Sequence, residues 1–370
     1  MPYLLGRRLF RNILQGLALF IIAVPTLADS VNSTQRTVTK LADGVYEIRH
    51  KDGLPGNPQG NTTVIIGERE VFVVDSCWLP SSAREDIAQI KQWTDKPVRY
   101  LLNTHWHYDH TLGNGAYRDA FPGLAIIAHA EARKAIKGYA GPYLEDFLKT
   151  AASYEQMLDT GKSPDGSALR EGVKSQLKEL LPTLKTISTE FEALRGEVPK
   201  LIPDLTFERE LDVNIGNREV QLKYFGRGNT AGDAIVYLPK EKILITGDLV
   251  DHPVPYLFGG FPAEEITTLE KMAQLDAETI VPGHGDVMHD KVYLHQEIGL
   301  LKTVVSQMEK EVYLLGGTIA KDPDTIQKAV RNDIDFKALR RQFAGDDPDN
   351  GQFFDDSVGD LLKYSYWQQD

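Results

Sequence analysis

His105-Trp106-His107-Tyr108-Asp109-His110 places four potential metal ligands within six residues. The stretch follows directly on the apolar run Val98 to Leu102, which reads as a buried strand. In an extended segment side chains two apart point the same way, so His105 and His107 are placed to share one cation. Asp109 and His110 are adjacent and diverge, which suits them to a second cation nearby. Imidazole with carboxylate favours zinc or a similar first-row metal over calcium or magnesium. The chain has only nine histidines in 370 residues, so composition alone does not explain three of them within six positions. The plainer alternative is a polar surface loop in which Asp109 caps a helix. The rest of the chain weighs against it.

Ile243-Leu244-Ile245 ends in Thr246-Gly247-Asp248, a carboxylate at the tip of a second apolar run. Thr279-Ile280-Val281-Pro282 leads into Gly283-His284-Gly285, where flanking glycines let the backbone turn sharply beside a ligand. In this order, each after its own strand, the H-x-H-x-D-H, T-G-D and G-H-G segments resemble the metallo-β-lactamase-fold hydrolase superfamily, which includes glyoxalase II, lactonases and β-lactamases. The resemblance runs from about Val45 to Asp286 and is interrupted by one long insertion. It implies a four-layer αβ/βα sandwich with metals at one edge between the sheets. It also implies that His105 and His107 hold metal one, that Asp109, His110 and His284 hold metal two, and that Asp248 bridges them. Asp75, ending the run Val71 to Val74, matches an acidic position that supports the metal-binding loop from behind the ligands.

One position departs from the pattern. The family's third histidine for metal one sits in a G-x-x-H-T-x-G-like turn, and here that turn reads Gly226-Arg227-Gly228-Asn229-Thr230-Ala231-Gly232-Asp233. Asn229 stands in the histidine's place. An amide oxygen is neutral and poorly basic, so metal one is expected to be held weakly. Three arrangements stay open: two metals with one weak position, one metal at the second position, or a borrowed ligand such as His252.

The amino terminus reads as an export signal. Arg7, Arg8 and Arg11 precede the apolar run Gly16 to Val24, and Thr26-Leu27-Ala28 offers a small-residue cleavage site before Asp29. The run falls short of the roughly 20 residues a membrane span needs, so no stable membrane insertion is expected after cleavage. Gly6 to Arg11 also resembles a twin-arginine signal, a route that exports folded proteins. Without residues 1–28 the formal charge becomes −15, from 38 basic and 53 acidic residues. Such a chain is poorly suited to phosphate backbones, so nucleic acid is not an expected partner. Cys77 is the only cysteine, which rules out an intrachain disulfide and reads as a packed small residue.

The expected organisation is a signal peptide over 1–28, a metallo-β-lactamase-like domain over 29–290 and a helical extension over 291–370. Val45 to Arg49, Thr62 to Ile66 and Val71 to Val74 read as strands of the first sheet. Leu205 to Leu211, Val220 to Phe225 and Ala234 to Leu238 read as the second sheet. Between the motifs, 131–200 has helical periodicity and no strand signal, so a helical insertion is expected. Polar Gly53 to Asn61 is a loop placed to overhang the site, and polar Asp346 to Gln352 interrupts the tail.

The function so implied is that of an exported hydrolase in the periplasm or outside the cell, holding one or two zinc ions. A metal-bound hydroxide attacks the carbonyl of a small ester, lactone, thioester or β-lactam. Asp109 and Asp248 orient the nucleophile, and His252, Tyr256 and Arg227 are candidates for holding the substrate. Two alternatives share the fold: an iron-dependent oxidoreductase of the persulfide-dioxygenase kind, and a metal-binding protein that has lost catalysis. A homo-oligomer is compatible with all of them. Export makes a direct prediction: the mature chain begins at Asp29 in the periplasmic or secreted fraction. Intact-mass spectrometry checks it, and a chain retaining Met1 or Pro2 in the membrane fraction would contradict it.

Overall fold

Strand alternation sets the layering. The computed structural model describes residues 36–314 and 323–368, so the expected signal segment lies outside the described residues. The first sheet contains β1 (Arg36–Ala42), β2 (Val45–His50), β3 (Thr62–Ile66), β4 (Val71–Val74), β5 (Val98–Asn103), β6 (Ala125–His129) and β7 (Leu205–Phe207), in that spatial order. The second runs β12 (Thr279–Pro282), β11 (Ile243–Gly247), β10 (Ile235–Leu238), β9 (Glu219–Lys223) and β8 (Glu210–Asn214). Successive residues of β4 face opposite ways. Phe72 and Val74 join the core between the sheets, with Leu102, Val236, Ile245 and Val281. Val71 and Val73 face outward onto α1 (Pro80–Trp93) through Ile87 and Ile90. On the other sheet Ile243 and Ile245 point inward, whereas Leu244 meets the outer helices α6 (Pro262–Ala273) and α7 (Val292–Leu314). Two sheets, each apolar on both faces, require a helical layer on each outer side. The result is the four-layer sandwich.

Between those helices in the chain come α2 (Tyr108–Thr111), α3 (Asn114–Ala120), α4 (Ala130–Thr160) and α5 (Glu171–Arg195). The last two form the helical insertion. Phe147 and Phe191 hold Trp78 edge-on at ring distances of 6.0 and 5.7 Å, within a core shared with Leu54 and Leu112. The insertion also completes a helix it does not belong to. Helix α1 has no capping side chain of its own at Leu79, and Glu190 of α5 accepts from Ser81 N at 2.8 Å. The carboxyl-terminal helices α8 (Pro323–Asp333), α9 (Phe336–Ala344) and α10 (Pro348–Trp367) pack with α7 into the outer core of the second sheet.

Three expectations need correction. Leu205–Phe207 pairs with β6 in the first sheet, and only Glu210–Asn214 belongs to the second. A continuous apolar reading from Leu205 to Leu211 missed the two-residue crossing at Glu208 and Arg209. Strand β1 escaped notice because its side chains are mostly exposed or half-buried, so no buried alternation marks it. The tail breaks at Gly345 to Asp347 rather than through Gln352. Asp347 accepts from Asp349 N and Asn350 N and Pro348 takes the first helical position, so polar residues 348–352 already belong to α10.

Among the described residues, no helix is long and apolar enough to cross a membrane. Phe191 tests the packing of the insertion: Phe191→Ala is expected to cost about 3–5 kcal/mol of stability, read from denaturant unfolding.

Candidate metal centre

Strands β4 and β5 run parallel, as do β11 and β12, so each pair delivers its carboxyl ends to one edge. There β4 is followed by Asp75, β5 by Thr104 and His105, β11 by Asp248, and β12 by Gly283 and His284. Asn61 ties the halves together, its backbone donating to Gly283 O at 2.8 Å and its amide to Pro282 O and Gly285 O. Two glycines are dictated by closeness. A Cβ on Gly60 would lie 2.4 Å from the His110 ring, and one on Gly283 would lie 2.1 Å from Asp248 Oδ1. The loop Gly53 to Asn61 is thus pressed onto the site, with Gly60 N donating to Asp109 O at 3.1 Å.

Asp248 stands between two histidine groups. Its Oδ2 is 3.2 Å from His105 Nε2 and 3.6 Å from His107 Nδ1. Its Oδ1 is 2.9 Å from His110 Nε2 and 3.6 Å from His284 Nε2. Asp109 Oδ2 completes the second group, 2.9 Å from His284 Nε2 and 3.6 Å from His110 Nε2. The structure therefore gathers His105, His107 and Asp248 into one potential ligand set, and Asp109, His110, Asp248 and His284 into another.

The donor chemistry fits a divalent first-row cation. His105 Nε2, Asp248 Oδ1 and Asn229 Nδ2 are buried with no hydrogen-bond partner; Asp248 Oδ1 approaches His110 Nε2 without the geometry of a hydrogen bond. His110 Nε2 and His284 Nε2 face each other at 3.2 Å. Only one ring can donate across that contact, whereas a shared cation would engage both nitrogens. Electrostatics point the same way. Burial opposes charge on His110, but Asp248, Asp109 and Asp75 outweigh it and raise its pKa well above the ordinary value. His284, likewise opposed by burial and favoured by Asp248 and Asp109, is pushed up to about 9. His107 instead is lowered, by burial and by His105. The second group is thus the more anionic, and the better place for positive charge.

Asp75 lies directly behind the ligands. Its carboxylate accepts from Thr104 N and Thr104 Oγ1, both at 2.8 Å, and stands 2.9 Å from His110 Nδ1. That leaves His110 Nε2 to face the site. Asn229 is buried in a turn closed by Asp233, which accepts from Thr230 N and Thr230 Oγ1. Ala234 N donates to Thr104 O at 2.7 Å, which lays this turn beside the residue preceding His105. The amide atoms of Asn229 are interchangeable by a flip, so its unpartnered atom can equally be the oxygen.

Other candidates fall differently. His252 joins neither ligand set; its ring packs against Tyr293 at 5.0 Å while its backbone N donates to His284 O. The guanidinium of Arg227 is engaged by Glu264 and lies 4.0 Å over the Phe261 ring. Tyr256 does reach the site, 5.9 Å from the His107 ring. Cys77 is fully buried, and burial together with Asp86 pushes its thiol well up, so it stays protonated. Sequence reasoning missed Thr104, which also contacts His105 Nδ1 at 3.0 Å, and the role of Asp251, whose Oδ1 accepts from His284 N at 2.8 Å. Thr104 had a signal, its place between strand and motif; the Asp251 contact had none.

With this fold and edge site, the chain belongs to the metallo-β-lactamase superfamily, whose family model matches residues 55–284. It is similar to a linear primary-alkylsulfatase of a Pseudomonas species, 24% identical over 250 residues, covering 65% of this chain and 44% of that protein. It is also similar to the alpha subunit of a 2,4-dinitroanisole O-demethylase of a Nocardioides species, 26% identical over 227 residues, covering 60% of this chain and 52% of that one. The chain thus spans about half the length of these curated relatives. A solved metallo-β-lactamase from Pontibacter korlensis superposes with a TM-score of 0.51 at 20% identity, covering 72% of this chain and 99% of that one. That likeness establishes the fold.

If Asn229 faces metal one, Asn229→His tightens the weaker zinc by about 10-fold or more, because imidazole is the stronger donor. Chelator competition on both proteins reads this directly. Unchanged affinity at both positions would take the turn out of the site.

Proposed function

We propose that the protein is an exported zinc-dependent hydrolase in which water adds at the carbonyl of a small ester, lactone, thioester or β-lactam and the acyl bond to the leaving oxygen, sulfur or nitrogen breaks. The observation that carries this reading is Asp248, whose two carboxylate oxygens each face a separate histidine group. His105, His107 and Asp248, with Asn229, would hold one zinc; Asp109, His110, Asp248 and His284 would hold the other. Zinc, when bound, lowers the pKa of water to about 7 and polarises the bond to be cleaved.

The chain's own residues supply the orientation. Burial would raise the Asp109 carboxyl, but His110 and His284 outweigh it and hold it at about 2. Asp109 is therefore an acceptor at neutral pH, and its side chain is a quarter exposed, which lets it steer an incoming water. Asp248 is ionised for the same reason, burial being outweighed by His110, His105 and His284. Tyr256, kept a neutral phenol by burial and by the charges of Asp109 and Asp248, is placed to donate to substrate. The alkylsulfatase relative adds sulfate esters as a further class to test, cleaved at the ester bond and not at a carbonyl.

The test is a hydrolase panel on protein purified with zinc, covering carboxylic esters, lactones, thioesters, β-lactams and sulfate esters. Turnover of at least one class is expected, with Asp109→Asn lowering kcat by about 100-fold or more. Full zinc occupancy without turnover on any class would overturn the reading. Stoichiometric iron with oxygen consumption would replace it with an oxidoreductase.

A further inference from the structure

Two arms of aromatic side chains meet at His107. In one arm the Trp106 ring lies 4.6 Å from His107 and 5.2 Å from Tyr139 of α4, in the helical insertion. In the other arm, Tyr256 stands 5.9 Å from His107 and 5.0 Å from Phe258. Phe353 of α10 extends this arm, 5.4 Å from Phe258 and 6.5 Å from Tyr256. None of these rings is fully buried, and Phe353 is 38% exposed. Helix α10 is fastened to the loop that carries the second arm. The buried hydroxyl of Ser357 accepts from Leu257 N at 2.9 Å and donates to Pro255 O at 2.8 Å. Partly buried rings beside a polar ligand cluster still leave some apolar surface in water, most of all Phe353, and an apolar group on a bound molecule removes it.

We propose that the helical insertion and the carboxyl-terminal extension supply the two jaws of the substrate mouth, and that the substrate carries an aryl or linear alkyl group gripped between them. The ester-type bond of that substrate rests on the hydrolase reading; the apolar grip does not need turnover. Phe353 and Tyr139 are then specificity-determining residues, although they lie some 200 positions apart in sequence.

The experiment is calorimetric titration of acetate, hexanoate and decanoate into the zinc-treated protein. Kd is expected to fall by about 4-fold for each added methylene until the jaws are filled, the scale set by the full burial of one CH2. Phe353→Ala and Tyr139→Ala are each expected to weaken decanoate by about 5-fold and to leave acetate unchanged. Equal affinity for the three carboxylates, or decanoate binding untouched by both substitutions, would overturn the proposal. Melting curves separate lost folding from lost grip. Should Tyr139→Ala unfold the insertion, Phe353→Ala, on an exposed ring, decides alone. Chain-length-dependent binding without turnover on any substrate class sinks the hydrolase reading and keeps the jaws; turnover without chain-length dependence does the reverse.

Discussion

The carboxylate of Asp248 is the point on which the site turns. It comes from the first sharp bend after β11, is almost wholly buried, and offers each oxygen to a different histidine group. A buried carboxylate is costly unless positive charge or donors surround it. Here the surrounding rings come from β5 and β12, so the two sheets must be in register at their carboxyl edges before that cost is offset. Assembly of the sandwich and assembly of the ligand sets are therefore one event. Asn61, bonded across to Pro282, Gly283 and Gly285, fixes the seam where the halves meet.

A second constraint lies in the bend after β4. Asp75 and Cys77 both adopt left-handed backbone angles, with φ of 61° and 67°, which residues with a Cβ seldom do. Side-chain bonds hold each in place. Asp75 is engaged by Thr104 and His110; Ser76 donates to His110 O and Asn114 Oδ1. Cys77 is held between Thr62 at 3.2 Å and Asp86 at 3.3 Å, and Asp86 is paired in turn with His50 at 2.8 Å. Burial opposes charge on His50 and Asp86 outweighs it, so the pair is a neutralised one inside the first sheet's outer layer. Strain of this kind persists only where surrounding structure over-determines it, and the bend's product is the position of the carboxylate behind His110.

Much of this was legible in the chain itself, for a simple reason. Ligands that follow directly on buried strands announce themselves by an apolar run and a polar stop, and His105 to His110, Asp248 and His284 all have that form. Periodicity likewise marked the insertion, because long amphipathic helices repeat their pattern many times. A three-residue strand at a crossover is too short to show a period, which is why β7 was assigned to the wrong sheet, and β1 went unseen because none of its side chains is buried.

What the sequence by itself determined is the set of ligand types, their order, and the alternation that makes each sheet apolar on both faces. These are local properties: a strand's faces and a motif's spacing follow from backbone geometry. The tertiary structure decided which side chains meet. It paired Arg227 with Glu264 and His252 with Tyr293, although both lie next to the motifs, and it brought Phe353 beside Phe258 and Tyr256, about 100 positions away in sequence. Contacts between residues distant in sequence depend on how whole layers pack, and no local pattern encodes them.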